Sequence, residues 1–220
     1  MTRDETIKAI KLADELLVRR ARESLTGFVK YIQPADMQPA LHHLVMCEAL
    51  NAAITGTAKK VMLQLPPGSA KSTFTSVLAP QYFLGTNPQL SVIQACHTSE
   101  LAERFGRKVR NSLGSTEFQR VFPGVSVAAD NAAAGRWETS HGGEYTAFGV
   151  GGSVTGRRAD LGLIDDPVRS REDADSERVR DKTWDWYVND FLTRLKPNGR
   201  IVVCATSWHE DDLMHRILER

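Results

Sequence analysis

The feature that most limits how this chain folds is the stretch Val61-Met-Leu-Gln-Leu-Pro-Pro-Gly-Ser-Ala-Lys-Ser-Thr-Phe74. An apolar run with strand character ends in a Pro/Gly/Ser turn. Lys71-Ser72-Thr73 then opens a segment with helical spacing at Val77, Leu78 and Tyr82. Strand, small-residue loop, Lys-Ser/Thr and helix are the plan of a phosphate-binding loop, in which successive backbone N–H groups and the positive end of the helix face an anion. The expected cradle is Pro67, Gly68, Ser69, Ala70, Lys71, Ser72 and Thr73, with Lys71 reaching the terminal phosphates and the Ser72 hydroxyl taking a Mg²⁺ position. The usual pattern G-x-x-x-x-G-K-[ST] wants glycine at 65 and 70, where this chain has Leu65 and Ala70. Alanine adds only a methyl, which the loop tolerates if φ at 70 stays negative. The competing reading is a strand–turn–helix corner with an accidental Lys-Ser, and the downstream sequence has to separate the two.

Composition bounds the class without choosing it. With 220 residues there is room for one large domain, or a domain and a small appendage. A net charge of +1 neither demands nor excludes nucleic acid, because a DNA-handling protein of balanced charge needs its Lys and Arg gathered on one face. Cys47, Cys96 and Cys204 are far apart and set in apolar stretches, as expected of reduced, buried thiols in a cytoplasmic protein. No signal-peptide pattern or membrane-length apolar run is present.

Along the chain, Ile7, Ile10, Ala13, Leu16 and Leu17 repeat at helical spacing among charges, predicting an amphipathic helix over 4–24. A Pro-punctuated loop from Phe28 leads into a second helix, to about Ala53. His43 and Cys47 are four apart on it, but two ligands without a second pair are explained by ordinary packing. Leu90–Cys96 reads as a buried strand, followed by a helix from Glu100 to Leu113 that Thr98 or Ser99 caps. Residues 125–150 are expected to form short strands or a β-hairpin excursion. Gly149-Val-Gly151 opens a dinucleotide fingerprint, but Val154 stands where its third glycine belongs, so that reading is rejected. Leu161-Gly-Leu-Ile-Asp165-Asp166-Pro167 is a short apolar strand delivering two carboxylates at its end. A charged helical segment over 170–188 and a buried strand, Gly199–Thr206, follow. Strands of this kind alternating with helices predict an α/β sandwich with a mostly parallel sheet.

The paired aspartates favour the phosphate reading. Asp165 fits the acidic residue that holds Mg²⁺ through water beside Ser72, and Asp166 is placed to orient and deprotonate an attacking water. Most ATPases of this plan use Glu there, and the shorter Asp must sit closer. The bland alternative is a strand-ending turn, since Asp and Pro favour turns.

Three blocks in order carry a resemblance: Leu-Pro-Pro-x-x-x-Lys-Ser, then Gly-Gly-Ser-Val-Thr-Gly-Arg-Arg-Ala-Asp-Leu-x-x-Ile-Asp-Asp-Pro-Val, then Ala-Thr-Ser-Trp-His-Glu-Asp-Asp-Leu. Together they resemble the ATPase domain of the large terminase subunit of tailed bacteriophages, from about residue 28 onward. The resemblance implies a P-loop NTPase of the additional-strand, catalytic-acid type, with a mostly parallel central sheet flanked by helices. Residues 1–27 are then an N-terminal helical appendage and 28–220 the ATPase domain. Relatives cut DNA with a separate C-terminal nuclease domain, for which this sequence has no room. The implied activity is Mg²⁺-dependent ATP hydrolysis powering the packaging of double-stranded viral DNA into a procapsid, in the host cytoplasm. The implied partners are double-stranded DNA, the portal protein and the small terminase subunit, in a homo-oligomeric ring that is a monomer in isolation.

Residue by residue, the resemblance makes Lys71 and Ser72 the P-loop pair, Asp165 the Mg²⁺ acid and Asp166 the catalytic carboxylate. Ala205-Thr206-Ser207 matches the coupling motif that senses the γ-phosphate. Gln38 is implied in an adenine-contacting motif, with Tyr31 nearby as a stacking surface. Many relatives carry Arg ahead of the P-loop Gly-Lys, and Thr-Arg-Trp-His where this chain has Thr206-Ser207-Trp208-His209. With both arginines missing, Arg157, or alternatively Arg158, is expected to enter the neighbouring subunit's site; the bland reading is a surface or DNA-facing charge. Arg104, Arg107, Lys108 and Arg110 make a basic helix face whose default reading is solvated. Ser207 and Glu210 read as a capping box, with Asp211 and Asp212 in the first turn of the last helix. Two other functions stay open: a helicase-like nucleic-acid ATPase, and a docking module that holds nucleotide with little turnover, kept alive by Ala70 and Asp166.

Overall fold

In the computed structural model, which describes residues 2–133, 135–152 and 156–219, a seven-stranded sheet carries helices on both faces. Val154 and its neighbours Ser153 and Thr155 in the Gly-rich loop lie outside the described residues. The helices are α1 (Arg3–Glu23), α2 (Leu25–Ile32), α3 (Leu41–Thr55), α4 (Lys71–Thr73), α5 (Ala79–Thr86), α6 (Ser99–Ser112), α7 (Thr116–Val121), α8 (Arg171–Asp175), α9 (Glu177–Trp186) and α10 (Leu213–Leu218). The strands are β1 (Lys60–Gln64), β2 (Val92–Cys96), β3 (Val127–Ala132), β4 (Arg136–Thr139), β5 (Glu144–Gly149), β6 (Ala159–Asp165) and β7 (Leu195–Ala205).

Strand order is β1-β7-β6-β2-β5-β4-β3, with β1 to β5 in that order parallel and β4 and β3 antiparallel at one edge. The 125–150 region is therefore three strands, of which β5 joins the parallel part. Because β7 lies between β1 and β6, the phosphate-loop strand and the acidic strand are not neighbours. The register sets Gln64 beside Ala205, Cys204 beside Asp165, Asp165 beside Cys96, and Cys96 beside Gly149. Every parallel strand therefore ends at one edge, where open α/β sheets bind ligands.

The central strands are mostly apolar where both faces are covered, as parallel sheets require, with Gln94 of β2 and Asp165 of β6 the buried polar exceptions. On β6, Leu161 and Leu163 join the core under α2, α3, α5 and α6, while Ile164 joins the opposite core with Trp186, Phe191, Val203 and Met214. Gly162 lets Phe191 close on the sheet, since a Cβ there would stand 2.8 Å from the Phe191 ring. The period of two then turns Asp165 to the Leu161/Leu163 face, beneath the helical run 71–86.

The amphipathic helix forms as α1, and the contacts that dock it run from Asp14 to its C-terminal turn. Ala21 is buried, Tyr82 Oη donates to the Arg22 carbonyl at 3.0 Å, and Arg22 and Arg120 link α1 to α7. Ile7, Ile10, Leu16 and Leu17 stay exposed on it. No helix among the described residues is long and apolar enough to cross a membrane. All three cysteines are buried and unpaired.

Candidate active site

The loop after β1 makes two left-handed excursions, Gly68 at φ +80° and Ala70 at φ +57°. The first suits glycine and faces open space. The second corrects the expectation of a negative φ at Ala70: the loop keeps the geometry of its glycine version, at a cost of about 1–2 kcal/mol. It is held there because Thr73 and Phe74 N–H both bond the Ala70 carbonyl at the start of the helix, at 2.9 and 3.3 Å. Ser69 Oγ also donates to the Pro66 carbonyl at 2.8 Å.

Lys71, only 7% exposed, leaves the first helical turn toward the strand ends. Its Nζ lies 2.9 Å from Asp166 Oδ2. Asp166 is, with Ala70, one of the two non-glycine residues with positive φ among the described residues, +42°, a strained conformation of the kind that clusters at functional sites. Its second oxygen, Oδ1, accepts the Thr206 N–H at 3.0 Å. Thr206 Oγ1 donates to the Leu65 carbonyl at 3.2 Å. Thr206, at the end of the inserted β7, thus joins the phosphate loop on one side to the acidic strand on the other.

Asp165 is 1% exposed and accepts from Ser76 Oγ at 2.7 Å through Oδ2, while its buried Oδ1 has no hydrogen-bond partner. Burial pushes its pKa up to about 6, with Ser76, Ser72 and Lys71 pulling the other way. Ser76 was not singled out from sequence. The available signal was its spacing of four from Ser72, which puts both hydroxyls on one helical face.

An orphan buried carboxylate oxygen beside serine hydroxyls is an all-oxygen donor set of the kind a hard cation takes. Among the described residues no group of three or more His, Cys, Asp or Glu is gathered that could hold a metal unaided. That too suits Mg²⁺, which is commonly bound by one or two protein ligands together with substrate phosphates. Ser72 and Asp165 therefore fit the ion. Beside the loop opens a hollow of about 450 Å³ lined by Gln64, Leu65, Pro66, Pro67, Thr206 and Ser207, none of them arginine.

The family model for the N-terminal part of the T4-like-type terminase large subunit matches residues 62–217. The chain belongs to the terminase large subunit family. A curated relative, the terminase large subunit of Enterobacteria phage T3, is 26% identical over 156 residues, covering 69% of this chain. This terminase chain spans about a quarter of that relative's length, 26%. Its fold is that of solved terminases. The crystal structure of the bacteriophage HK97 large terminase matches with a TM-score of 0.56 at 14% identity, over 90% of this chain and 40% of that one. A mutant ATPase domain of the Thermus phage P74-26 large terminase matches at 0.50 and 16% identity, over 76% and 65%. The terminase fold here is a P-loop α/β architecture with a mostly parallel sheet between helical layers.

In this terminase chain Lys71, Ser72, Asp165, Asp166 and Thr206 converge at one sheet edge. Arg157 does not join them. It precedes β6, at the opposite ends of the strands, where it pairs with Glu144 and donates to Thr146 Oγ1 at 3.2 Å. Gln38 Nε2 is engaged with the carbonyls of Lys30, Gln33 and Pro34 at 3.2–3.4 Å, and Tyr31 packs half-buried against the core. The capping box expected at Ser207/Glu210 is not the helix start. Asp212 caps α10 instead, accepting from Met214 and His215 N–H, because Asp211 is drawn aside to Arg180 and Arg216.

Proposed function

We propose that this chain is the ATP-hydrolysing part of a terminase, coupling Mg²⁺-dependent hydrolysis to movement of double-stranded viral DNA into a procapsid. The observation that carries the reading is the 2.9 Å contact between Lys71 and Asp166 beside the orphan oxygen of Asp165. Terminase membership and the P-loop fold support it.

The cradle 67–73 would present backbone N–H groups to the phosphates, and Lys71 would shift from Asp166 to the terminal phosphates. Ser72 and Asp165 would hold Mg²⁺, whose charge offsets that of the phosphate oxygens. Asp166, released from Lys71, is then free to orient the attacking water and accept its proton. Its second oxygen stays anchored to Thr206 N–H, so a change at the carboxylate reaches β7 and, through the Thr206 hydroxyl, the loop at Leu65. Gln38 and Tyr31 are proposed for the adenine side.

Transition-state charge on the γ-phosphoryl calls for an arginine, worth about 10³–10⁵ in rate in other systems. The hollow beside the loop has none in its lining. Arg157, with Arg158 as the alternate, is proposed to enter the neighbouring subunit's site in a ring, leaving Glu144 to do so. Double-stranded DNA, the portal protein and the small terminase subunit are the proposed partners, at the portal in the host cytoplasm.

Phosphate release tests the reading: Mg²⁺-dependent turnover that Asp166→Asn abolishes while nucleotide still binds supports it, and equal rates contradict the role of Asp166. One observation favours a second reading, a docking module with little turnover: Lys71 and Asp166 occupy each other here. Tight nucleotide binding with no phosphate release from the assembled protein would favour that module.

A further inference from the structure

We propose that His43 is the positioning residue that holds the phosphate loop in its left-handed turn, orienting the Ala70 N–H for the nucleotide; this rests on reading the site as a nucleotide site. His43 lies in the first turn of α3, 26 residues before Ser69 in sequence. Its ring meets the loop on one side and the helical run after it on the other. Nε2 is 3.2 Å from the Ser69 carbonyl, and the ring stacks on Phe74 with centroids 4.5 Å apart and planes 14° from parallel.

The other ring nitrogen decides the tautomer. Nδ1 accepts the Ala40 N–H at 3.1 Å, so it carries no proton. Both bonds at once require a neutral ring with its proton on Nε2, donated to Ser69 O. Burial, and after it the neighbouring His42, lower the pKa of His43 and favour that neutral form.

The bond falls where it matters for Ala70. The Ser69 carbonyl belongs to the peptide plane that turns when φ of Ala70 changes. Alanine left to itself would relax to negative φ, swinging that carbonyl away. His43 holds the plane on one side, and the Thr73 and Phe74 N–H groups hold the Ala70 carbonyl on the other. In a trans peptide the C=O and N–H point in opposite directions. Fixing Ser69 C=O toward His43 therefore turns Ala70 N–H away from α3. A loop with glycine at 70 needs no such brace, since glycine takes positive φ freely. This explains how the chain departs from the usual glycine at 70 and keeps the loop's shape.

The test is a double-mutant cycle between His43→Ala and Ala70→Gly, read by titration with a fluorescent non-hydrolysable ATP analogue and Mg²⁺, with Lys71→Ala as the control. His43→Ala is expected to weaken binding about tenfold when residue 70 is alanine and clearly less when it is glycine, the scale of one coupled contact. His43→Gln, which keeps a donor at the Nε2 position, is expected to restore most of the affinity, and it carries the test should His43→Ala fail to fold. The imidazole ¹⁵N shifts at neutral pH are expected to show a bare Nδ1 and a protonated Nε2. Equal losses in the alanine and glycine backgrounds, or the opposite tautomer, overturn the proposal while Lys71→Ala still abolishes binding. Should wild type and Lys71→Ala bind alike, the nucleotide site itself falls, and the role of His43 with it.

Discussion

Lys71 Nζ and Asp166 Oδ2 are 2.9 Å apart, so the cation proposed to meet the terminal phosphates is neutralised by the carboxylate proposed to activate water. Each satisfies the other, and Lys71 is nearly buried, so the pair lowers the cost of desolvating the ammonium. In the proposed function, nucleotide binding exchanges one anion on Lys71 for another.

Asp166→Asn frees Lys71 from this competitor. Nucleotide affinity is expected to hold or rise, while turnover falls by at least about 100-fold, the usual range for removing a general base. Titration with a fluorescent nucleotide, combined with phosphate release, checks both halves. Lys71→Ala is expected to lose affinity as well as turnover.

Asp165 is a buried carboxylate with one oxygen unpartnered and its pKa pushed up to about 6. A raised pKa means that the folded state disfavours the charged form. Its contribution to stability is present below the ordinary carboxylate range and is lost as pH rises through about 6. At pH 7.5 and without Mg²⁺, Asp165→Asn is therefore expected to stabilise the protein by roughly 2 kcal/mol, several degrees in Tm. The same variant is expected to lose the stabilisation that Mg²⁺-nucleotide gives wild type. Calorimetry with and without the ligand measures both, and a destabilised metal-free Asp165→Asn would contradict this picture of the site.

Asp211 receives Arg216 through both oxygens at 2.6 Å and Arg180 at 3.0 Å, and Arg216 also reaches Asp181 at 2.9 Å. Hydrogen bonds from Arg216, and then from Arg180, hold the Asp211 pKa well below the usual range. A depressed pKa contributes stability that is present above the ordinary value and lost as pH falls below it. With Asp211 partly exposed, Asp211→Asn is expected to cost roughly 1 kcal/mol near neutrality after allowance for solvent screening. The gap to wild type is expected to narrow as pH drops below about 4. Urea melts across pH give the comparison, and a gap that widens on acidification would refute it.

Arg157 sits at the opposite strand ends from Lys71, paired with Glu144. Arg157→Ala is expected to leave nucleotide binding by the dilute chain unchanged and to suppress ATPase activity of the assembled ring by about 10³-fold or more. Brisk hydrolysis by dilute wild-type monomer would count against an arginine supplied by a neighbour.

Much of the fold could be read because its signals are local. The apolar runs ending at Gln64, Cys96, Asp165 and Ala205 are parallel strands, and their shared edge follows from the register. Lys71, Ser72, Asp165 and Asp166 are legible from one loop motif and a strand end, and Thr206 from the family resemblance; the structure brings them together at this edge. What stayed hidden depends on contacts distant in sequence. The left-handed Ala70 contradicts its own intrinsic preference and is held by neighbours such as His43. Asp211 looked like a helix-start residue because nothing local reveals that Arg180, 31 positions earlier, competes for it. Trp208 and His209 sit in a motif matched from sequence, yet α10 begins only at Leu213, capped by Asp212, whose Oδ1 also meets His215 Nδ1 at 3.0 Å.

The most direct measurement is a crystal structure with a non-hydrolysable ATP analogue and Mg²⁺. The expected result puts the triphosphate in the 67–73 loop, its terminal phosphate on Lys71, the ion on Ser72 and on the Asp165 side, and Asp166 parted from Lys71. A triphosphate bound elsewhere, or an unchanged Lys71–Asp166 pair with the ion away from Asp165, would contradict the site.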